Sequence, residues 1–434
     1  MDILTYSPLL VLALFFFLGS GVWVALSLIG VAYMTMLMFS SAPIDAVMPT
    51  TIWSSLSTWT LTALPLFIWM GEILFRTRLA ADLFEGLAPW VGRLPGRLVH
   101  VNVLGCGIFA AVSGSSAATA ATVGQMSLPE LEKRGYDRRL SLGSLAASGT
   151  LGLLIPPSII LIVYGVSANV SIGRLFLAGV IPGLVLMGLF VGYIVLWSLF
   201  HRDKMPPPEP RLPLMEALKR VRLLLPIVLL IIAVIGSIYM GVATATEAAT
   251  LGVVGSLIVA LVAGSLTWES FQASLYGAMR TSCMIAFILA GAAFLTTAMG
   301  FSGIPRALAH WIDAMGLSPY ALLAALTVLY LILGCFLDGI SMVVLSTVVV
   351  IPMVQQAGID LLWFGIFLTI MVEVAQITPP VGFNLFVVQG IANEDIWTIT
   401  KAVLPFFLLM ILMVVLLTLY PEMATWLPTT MKSV

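Results

Sequence analysis

Long apolar stretches separated by short polar ones set the reading of this chain. Three such runs open it, at about Leu4–Gly19, Gly21–Ser40 and Thr51–Phe75, and no Lys or Arg precedes Arg76. As helices they match a hydrocarbon core of about 30 Å. A cleavable leader needs a basic flank, so the first run reads as a retained helix. Further runs of spanning length follow at Ile172–Phe200, Leu223–Gly241, Glu247–Gly264, Thr281–Gly300 and Ala402–Tyr420. Trp268–Met279 reads as an interfacial piece, and the proline-rich Met205–Pro213 as the one linker.

Two stretches break the pattern. The apolar segment from His100 to Pro129 is flanked by Arg93 and Arg97 before it and by Lys133 and Arg134 after it. Basic residues gather in cytoplasmic loops, and three groups (76–97, 133–139 and 202–222) hold 14 of the 19 Lys and Arg. A segment with both ends on one side does not span. Its arm Val101–Val112 reaches only about 18 Å as a helix, and its middle is Ser113-Gly114-Ser115-Ser116. These features predict a re-entrant helical hairpin (about 101–129), whose tip is tolerated only where protein or water shields it. The next run, about 140–168, is divided by Pro156-Pro157, which remove backbone donors and break a helix. It predicts two pieces, Leu140–Ile155 and Ser158–Val166.

The chain also repeats itself. Phe67 and Gly71 recur as Phe287 and Gly291, Trp90 and Pro95 as Trp311 and Pro319, and Gly135-Tyr136-Asp137 as Gly358-Ile359-Asp360. Ser113-Gly114 falls opposite Asp338-Gly339, and Ser116 opposite Ser341. Ile155-Pro156-Pro157 matches Thr378-Pro379-Pro380, Asn169 matches Asn393, and Pro182 matches Pro405, at offsets between 220 and 225. The first copy begins with a span reaching the cytoplasm at Arg76. The second begins with one leaving it near Arg280, so the copies face opposite ways. The second hairpin (about 320–358, tip Asp338–Ser341) should enter from outside, and the second broken helix (Leu361–Gly390, break Thr378–Asn384) should run inward.

The expected fold is therefore an all-α polytopic membrane protein of inverted-topology repeats, with two re-entrant hairpins and two discontinuous helices. Its expected partition is scaffold spans 1–75, first repeat 76–200, a cytoplasmic loop 201–222, scaffold spans 223–280, second repeat 281–420 and a tail 421–434. Both termini lie outside on this count, with 16 Lys and Arg inside and three, Arg174, Arg306 and Lys432, outside. Such inverted repeats place a binding site at their interface near the membrane midplane.

Composition agrees. The chain is 61% hydrophobic and 9% charged, against about 25% charged in soluble domains. The net charge is −1, and no basic face is available for nucleic acid. Cys106, Cys283 and Cys335 sit in apolar stretches, and His100, His201 and His310 at segment ends, which leaves no metal-ligand spacing. An intramembrane enzyme would need an HExxH or a Ser/His pair within a span, and neither occurs.

Helix ends exposed at a hairpin tip or a break offer free N–H groups to anions and free C=O groups to small hard cations. Ser113–Ser116 with the bend Gly152–Ser158 suits one cation, and Asp338–Met342 with Thr378–Asn384 a second. The same run, SGSSAATAAT, also suits close helix packing, and the Pro-Pro pairs also suit simple kinks. An acidic residue at mid-bilayer costs about 2.5–3.5 kcal/mol, so Asp338 should face protein or a cation. Glu373 and Glu247 are further intramembrane acids. Glu247 reads as part of a helix cap at Thr246, and Glu72 as an i,i+4 partner of Arg76. Trp53, Trp59, Trp397 and Trp426 read as an interfacial belt.

Four motifs in order resemble the large membrane subunit of tripartite ATP-independent periplasmic (TRAP) transporters. They are LPGRLVHVNVLGCGIFAAVSGSSAATAATVG (94–124), GYDRRLSLGSLAASGTLGLLIPPSIILIVYG (135–165), GVATATEAA (241–249) and ITPPVGFNLFV (377–387), with Ala245 where the family usually has Pro. The resemblance implies a sodium-driven elevator transporter in a bacterial or archaeal inner membrane, with Na+ as coupling ion and no other cofactor. It implies two partners: a small membrane subunit, expected here as a separate chain, and a soluble periplasmic binding protein that delivers a small organic anion. It implies one sodium site at Ser113, Gly114, Ser115 and Ser116 with Gly152 and Pro156. The other is implied at Asp338, Gly339 and Ser341 with Thr378, Gly382 and Asn384. The substrate would lie between the tips, near Ser115, Ser116, Pro156, Pro157, Ser341, Met342 and Pro379. The alternative is a stand-alone sodium- or proton-coupled anion symporter that needs no binding protein. Which anion is carried is not legible in this chain.

Overall fold

The computed structural model describes residues 3–207, 213–304, 307 and 318–431, and every regular element among them is helical. In lipid no water satisfies backbone N–H and C=O groups, so a chain this apolar folds into helices that pair them internally. Among the described residues, five helices are long and apolar enough to cross a membrane, or up to seven if each bent pair counts as one span. Residues 208–212 of the linker, Arg306, His310, Trp311 and Lys432 lie outside the described residues.

The chain opens with α1 (Ile3–Gly19), α2 (Val24–Phe39), α3 (Ile44–Leu56) and α4 (Ala63–Phe75). The third apolar run is not the single rod expected over Thr51–Phe75. Thr58 is extended, and the helical stretches on either side of it meet at 55°. The amphipathic α5 (Leu79–Val91) leads into a pair joined at a tight tip, α6 (His100–Ser113) and α7 (Ser116–Lys133). Then come α8 (Arg138–Gly149), a 3-10 turn at Thr150–Leu153, α9 (Ile159–Ala168) and the long α10 (Ile172–Phe200). The first break thus covers 150–158, wider than the Pro-Pro step alone, because the last helical turn tightens before the prolines. The middle group is α11 (Leu214–Val221), α12 (Leu225–Tyr239), α13 (Ala245–Val262) and α14 (Trp268–Ser302).

Here the sequence reading needs correction. The interfacial piece and the following span are one uninterrupted helix of 35 residues, α14, about 52 Å long. No proline separates Met279 from Thr281, and Gly277 is held under the Glu72 carboxylate, 2.6 Å from where a Cβ would sit. The boundary placed at 280/281 therefore falls inside a helix. Glu72 pairs with Arg76 at 3.1 Å as expected. The cap at α13 is Thr244 rather than Thr246: the Thr244 amide and hydroxyl donate to Glu247 at 2.8 and 2.9 Å.

The last group repeats the order of the first: α15 (Pro319–Gly334) and α16 (Gly339–Gln356), the broken α17 (Leu361–Gln376) and α18 (Phe383–Ala392), and the long α19 (Ile396–Leu419), followed by α20 (Glu422–Thr429). Local chemistry repeats too. Asp137 caps α8 by accepting from Leu140 N, and Asp360 caps α17 by accepting from Trp363 N, both at 2.9 Å. Asn169 and Asn393 each end the second half of a broken helix in left-handed backbone.

Side-chain contacts show that the halves run opposite ways. Arg138 at the start of α8 pairs with Glu394, just past the end of α18, at 2.7 Å. Tyr164 near the end of α9 donates to the Leu361 carbonyl at the start of α17, at 2.7 Å. The two broken helices therefore lie antiparallel. The open ends of α6 and α7 lie together, with the Leu98 amide donating to the Tyr136 hydroxyl at 3.3 Å. α10 packs on α19 through edge-on rings, Phe190 and Tyr193 against Phe406.

Candidate functional site

At the first tip, α6 ends at Ser113 and Gly114 turns the chain with φ +60. That left-handed backbone suits glycine, which carries no Cβ. Ser115 then caps α7, its hydroxyl accepting from the Ala118 amide at 3.4 Å. Thr119 donates to the Ser115 carbonyl and sits 2.7 Å from the Ser113 hydroxyl. The tip is fastened to the first break. Ile159 N donates to the Gly114 carbonyl at 3.3 Å. A Cβ on Gly152 would stand 2.8 Å from the Ser115 carbonyl oxygen, and one on Gly114 2.8 Å from the Pro157 carbonyl oxygen. Ser158 closes the break by donating to the Leu153 carbonyl and capping α9. Ser113, Gly114, Ser115, Gly152 and Pro157 thus form one cluster. Ser116 and Pro156 are buried beside them in the chain.

At the second tip, Asp338 caps α16. One carboxylate oxygen accepts from the Ile340 and Ser341 amides at 3.1 and 3.3 Å, and the other accepts from the Ser341 hydroxyl. Asp338 is exposed, while Ser341 and Met342 are fully buried. Gly339 presses on α17, its missing Cβ 2.6 Å from Val372 and 3.2 Å from the Gln376 amide nitrogen. The Cys335 thiol reaches the Pro379 carbonyl at 3.3 Å. In the second break, Thr378 donates to the Val374 carbonyl at 2.7 Å, and Gly382 N donates to the Thr378 carbonyl at 2.9 Å. Asn384 leaves this group and crosses to the other broken helix, where its amide donates to the Ala146 carbonyl at 3.3 Å.

The two tips converge. A Cβ on Gly114 would lie 3.5 Å from Ile159, and one on Gly339 3.6 Å from Ile160. Both tips therefore rest on the first turn of α9. Gln376, against Gly339, is one of three residues of the second broken helix with unpartnered buried acceptors. The Oε1 of Gln376, the Oδ1 of Asn384 and both oxygens of the fully buried Glu373 have no hydrogen-bond partner among the described residues. Buried acceptors without donors are costly unless a cation satisfies them. Thr119, Cys335 and Gln376 were missed by the sequence reading. The signal for Thr119 was present, since it lies one helical turn beyond Ser115.

A second feature is a neutral cavity of about 420 Å³ between α3, α9, α14 and α16. Ser54, Thr58, Asn169, Thr296, Thr297 and Thr347 supply polar groups, and no charged side chain among the described residues lines it.

The family model described as tripartite ATP-independent periplasmic transporter, DctM component, matches residues 9–423. The chain is 34% identical to the C4-dicarboxylate TRAP transporter large permease protein of Pseudomonas aeruginosa, over 85% of this chain and 86% of that one. It is 33% identical to the isethionate TRAP transporter permease protein of Oleidesulfovibrio alaskensis, over 93% of this chain and 64% of that one. It is 30% identical to the sialic acid TRAP transporter permease protein of Haemophilus influenzae, over 98% and 68%. Among solved structures, the YdaH transporter of Alcanivorax borkumensis superposes with a TM-score of 0.67 over 93% of this chain and 98% of that one, at 14% identity. That likeness is one of fold.

Proposed function

The chain belongs to the DctM component family of tripartite ATP-independent periplasmic transporters, and from that premise we propose that it carries a small organic anion inward by coupling it to sodium. It is the large permease of such a system, a multi-pass protein of the inner membrane. One observation carries the ion coupling: two tips, opposed in direction, rest on the first turn of α9, and the second broken helix beside them buries the side-chain oxygens of Glu373, Gln376 and Asn384 with no donor among the described residues. Acceptor-rich, donor-poor surroundings suit a small hard cation.

In this reading Ser113–Ser116 with Gly152 and Pro156 hold one sodium, and Asp338, Gly339 and Ser341 with Thr378 and Gly382 the other. Asn384 helps by locking one broken helix to the other. The anion occupies the space near Ser115, Ser116, Pro156, Pro157, Ser341, Met342 and Pro379, and reaches it through the hydroxyl-lined cavity. The hairpins and broken helices move as one body against α1–α4 and α12–α14, with both termini outside. A small membrane subunit braces the fixed part and a soluble binding protein delivers the anion. The names of the relatives give carboxylates, sialic acid and isethionate as the range to test first.

The test is uptake into proteoliposomes holding this chain and its small subunit, with the binding protein outside. Uptake should require an inward sodium gradient and the binding protein together. Transport by this chain alone would instead support a stand-alone symporter. A proton in sodium's place is a second reading, favoured by Glu373, a buried carboxyl group without a partner among the described residues. Varying sodium at fixed pH, then pH at fixed sodium, separates the two.

A further inference from the structure

A cavity of about 1020 Å³ lies between α5, the open end of the α6–α7 hairpin and α11, lined by Arg93, Arg97, Arg134 and Arg220 with Glu85 and Glu130. Two of the guanidiniums already face carboxylates: Arg134 meets Glu130 at 3.0 Å and Arg220 meets Glu216 at 3.6 Å. The other two do not. Arg97 donates to the neutral Pro206 carbonyl, and Arg93 lies over the Trp90 ring, 5.8 Å from its centroid. Neither has an ion-pair partner among the described residues. An anion entering this cavity would meet two guanidiniums without carboxylates of their own.

The walls specify the anion further. Phe84, Leu98 and Met126 line the same cavity. Trp90 and Leu94, beside Arg93, are 37% and 42% exposed although apolar. A small soluble anion has no use for such walls, whereas an amphiphile fills both parts. Basic pockets between helices at a membrane surface take phosphate headgroups, and guanidinium pairs with phosphate in two-pronged geometry. We propose that this cavity binds the headgroup of an anionic phospholipid, its phosphate on Arg93 and Arg97 and its upper chains along Phe84, Leu94 and Met126. The lipid then touches α5, which joins α4 to the hairpin, and the hairpin itself. It sets their spacing.

The experiment uses the full chain with its small subunit in an uncharged detergent. Cardiolipin, phosphatidylcholine and free glycerophosphate are titrated separately, with lipid retention followed by native mass spectrometry and by thermal shift. Cardiolipin should bind and raise the melting temperature, and the other two should not. Each arginine near an anionic headgroup contributes about fivefold in affinity, so R93Q should bind cardiolipin about fivefold more weakly and R93Q/R97Q about 25-fold. R93K should keep most of the affinity. R174Q, outside the cavity, should leave it unchanged. If Arg97 variants fold poorly, R93Q alone carries the test. Undiminished cardiolipin binding by a folded R93Q protein overturns the proposal. So does equal binding of phosphatidylcholine, and so does glycerophosphate binding as tightly as cardiolipin, which would make the site one for a soluble anion.

Discussion

Ser115 and Asp338 hold the same station in the two halves: each caps the helix that leaves a hairpin tip. The interval of 223 residues between them also separates Asp137 from Asp360 and Pro156 from Pro379. The tips are therefore matched in geometry and unmatched in charge. One is neutral, and the other carries a carboxylate already engaged by its own helix.

That asymmetry can be probed at Asp338. Losing a cap costs about 1 kcal/mol, so Asp338→Ala should lower the melting temperature by a few degrees and abolish sodium-dependent uptake. Asp338→Asn keeps an acceptor for the two amides. It should melt near the wild type while needing several-fold more sodium for half-maximal uptake. A sodium titration of Asp338→Asn that overlays the wild type would reduce the carboxylate to a cap.

The contact between Gly152 and the Ser115 carbonyl leaves no room for a methyl group. Gly152→Ala should displace the first tip by several tenths of an ångström and cut uptake by roughly tenfold or more, while the protein still reaches the membrane. Gly390→Ala is the control, since nothing lies within 4 Å of its added Cβ. Equal uptake by the two variants would show that the tip tolerates movement.

Asn384 links the broken helices across the pseudo-symmetry. Asn384→Ala removes the bond to the Ala146 carbonyl and leaves that acceptor buried, at a cost of about 1–3 kcal/mol. Thermal unfolding should report this loss, and uptake should fall with it. Asn384→Asp replaces the donor with a second acceptor and should be worse. An Asp variant as stable as the wild type would contradict the hydrogen bond.

Relative motion can be tested with bridges. Thr297 of α14 and Thr347 of α16 line the same cavity, and a bifunctional maleimide joining Thr297→Cys to Thr347→Cys should stop uptake. Joining Arg138→Cys to Glu394→Cys, both within the body proposed to move, should not. Inhibition by both bridges, or by neither, would argue against a rigid body moving past α14.

Much of this was legible in the sequence because charge and proline punctuate an otherwise apolar chain. The clustering of basic residues implies that both ends of the first hairpin lie on one side, and Arg93 and Arg97 before it and Arg134 after it line one cavity. Pro156 and Pro379 marked both breaks. The register of the tips was less legible. Matching Ser113-Gly114 with Asp338-Gly339 aligned identical glycines, whereas the caps align Ser115 with Asp338. A serine and an aspartate do the same work for a helix start, but letter-by-letter comparison does not see it. The continuity of α14 is hidden by Arg280, which reads as a boundary although no helix breaker stands beside it. The crossing of Asn384 to Ala146 joins residues 238 apart, and nothing local announces it.

Each half is completed by the other: Asn384 donates to the Ala146 carbonyl of α8, and Gly339 settles on Ile160 of α9. A half-length product alone would turn these contact faces toward hydrocarbon, and the first half would lose the donor to its Ala146 carbonyl. Severed between the repeats, the protein should therefore survive only as a mixture of both fragments, each acting as the other's chaperone.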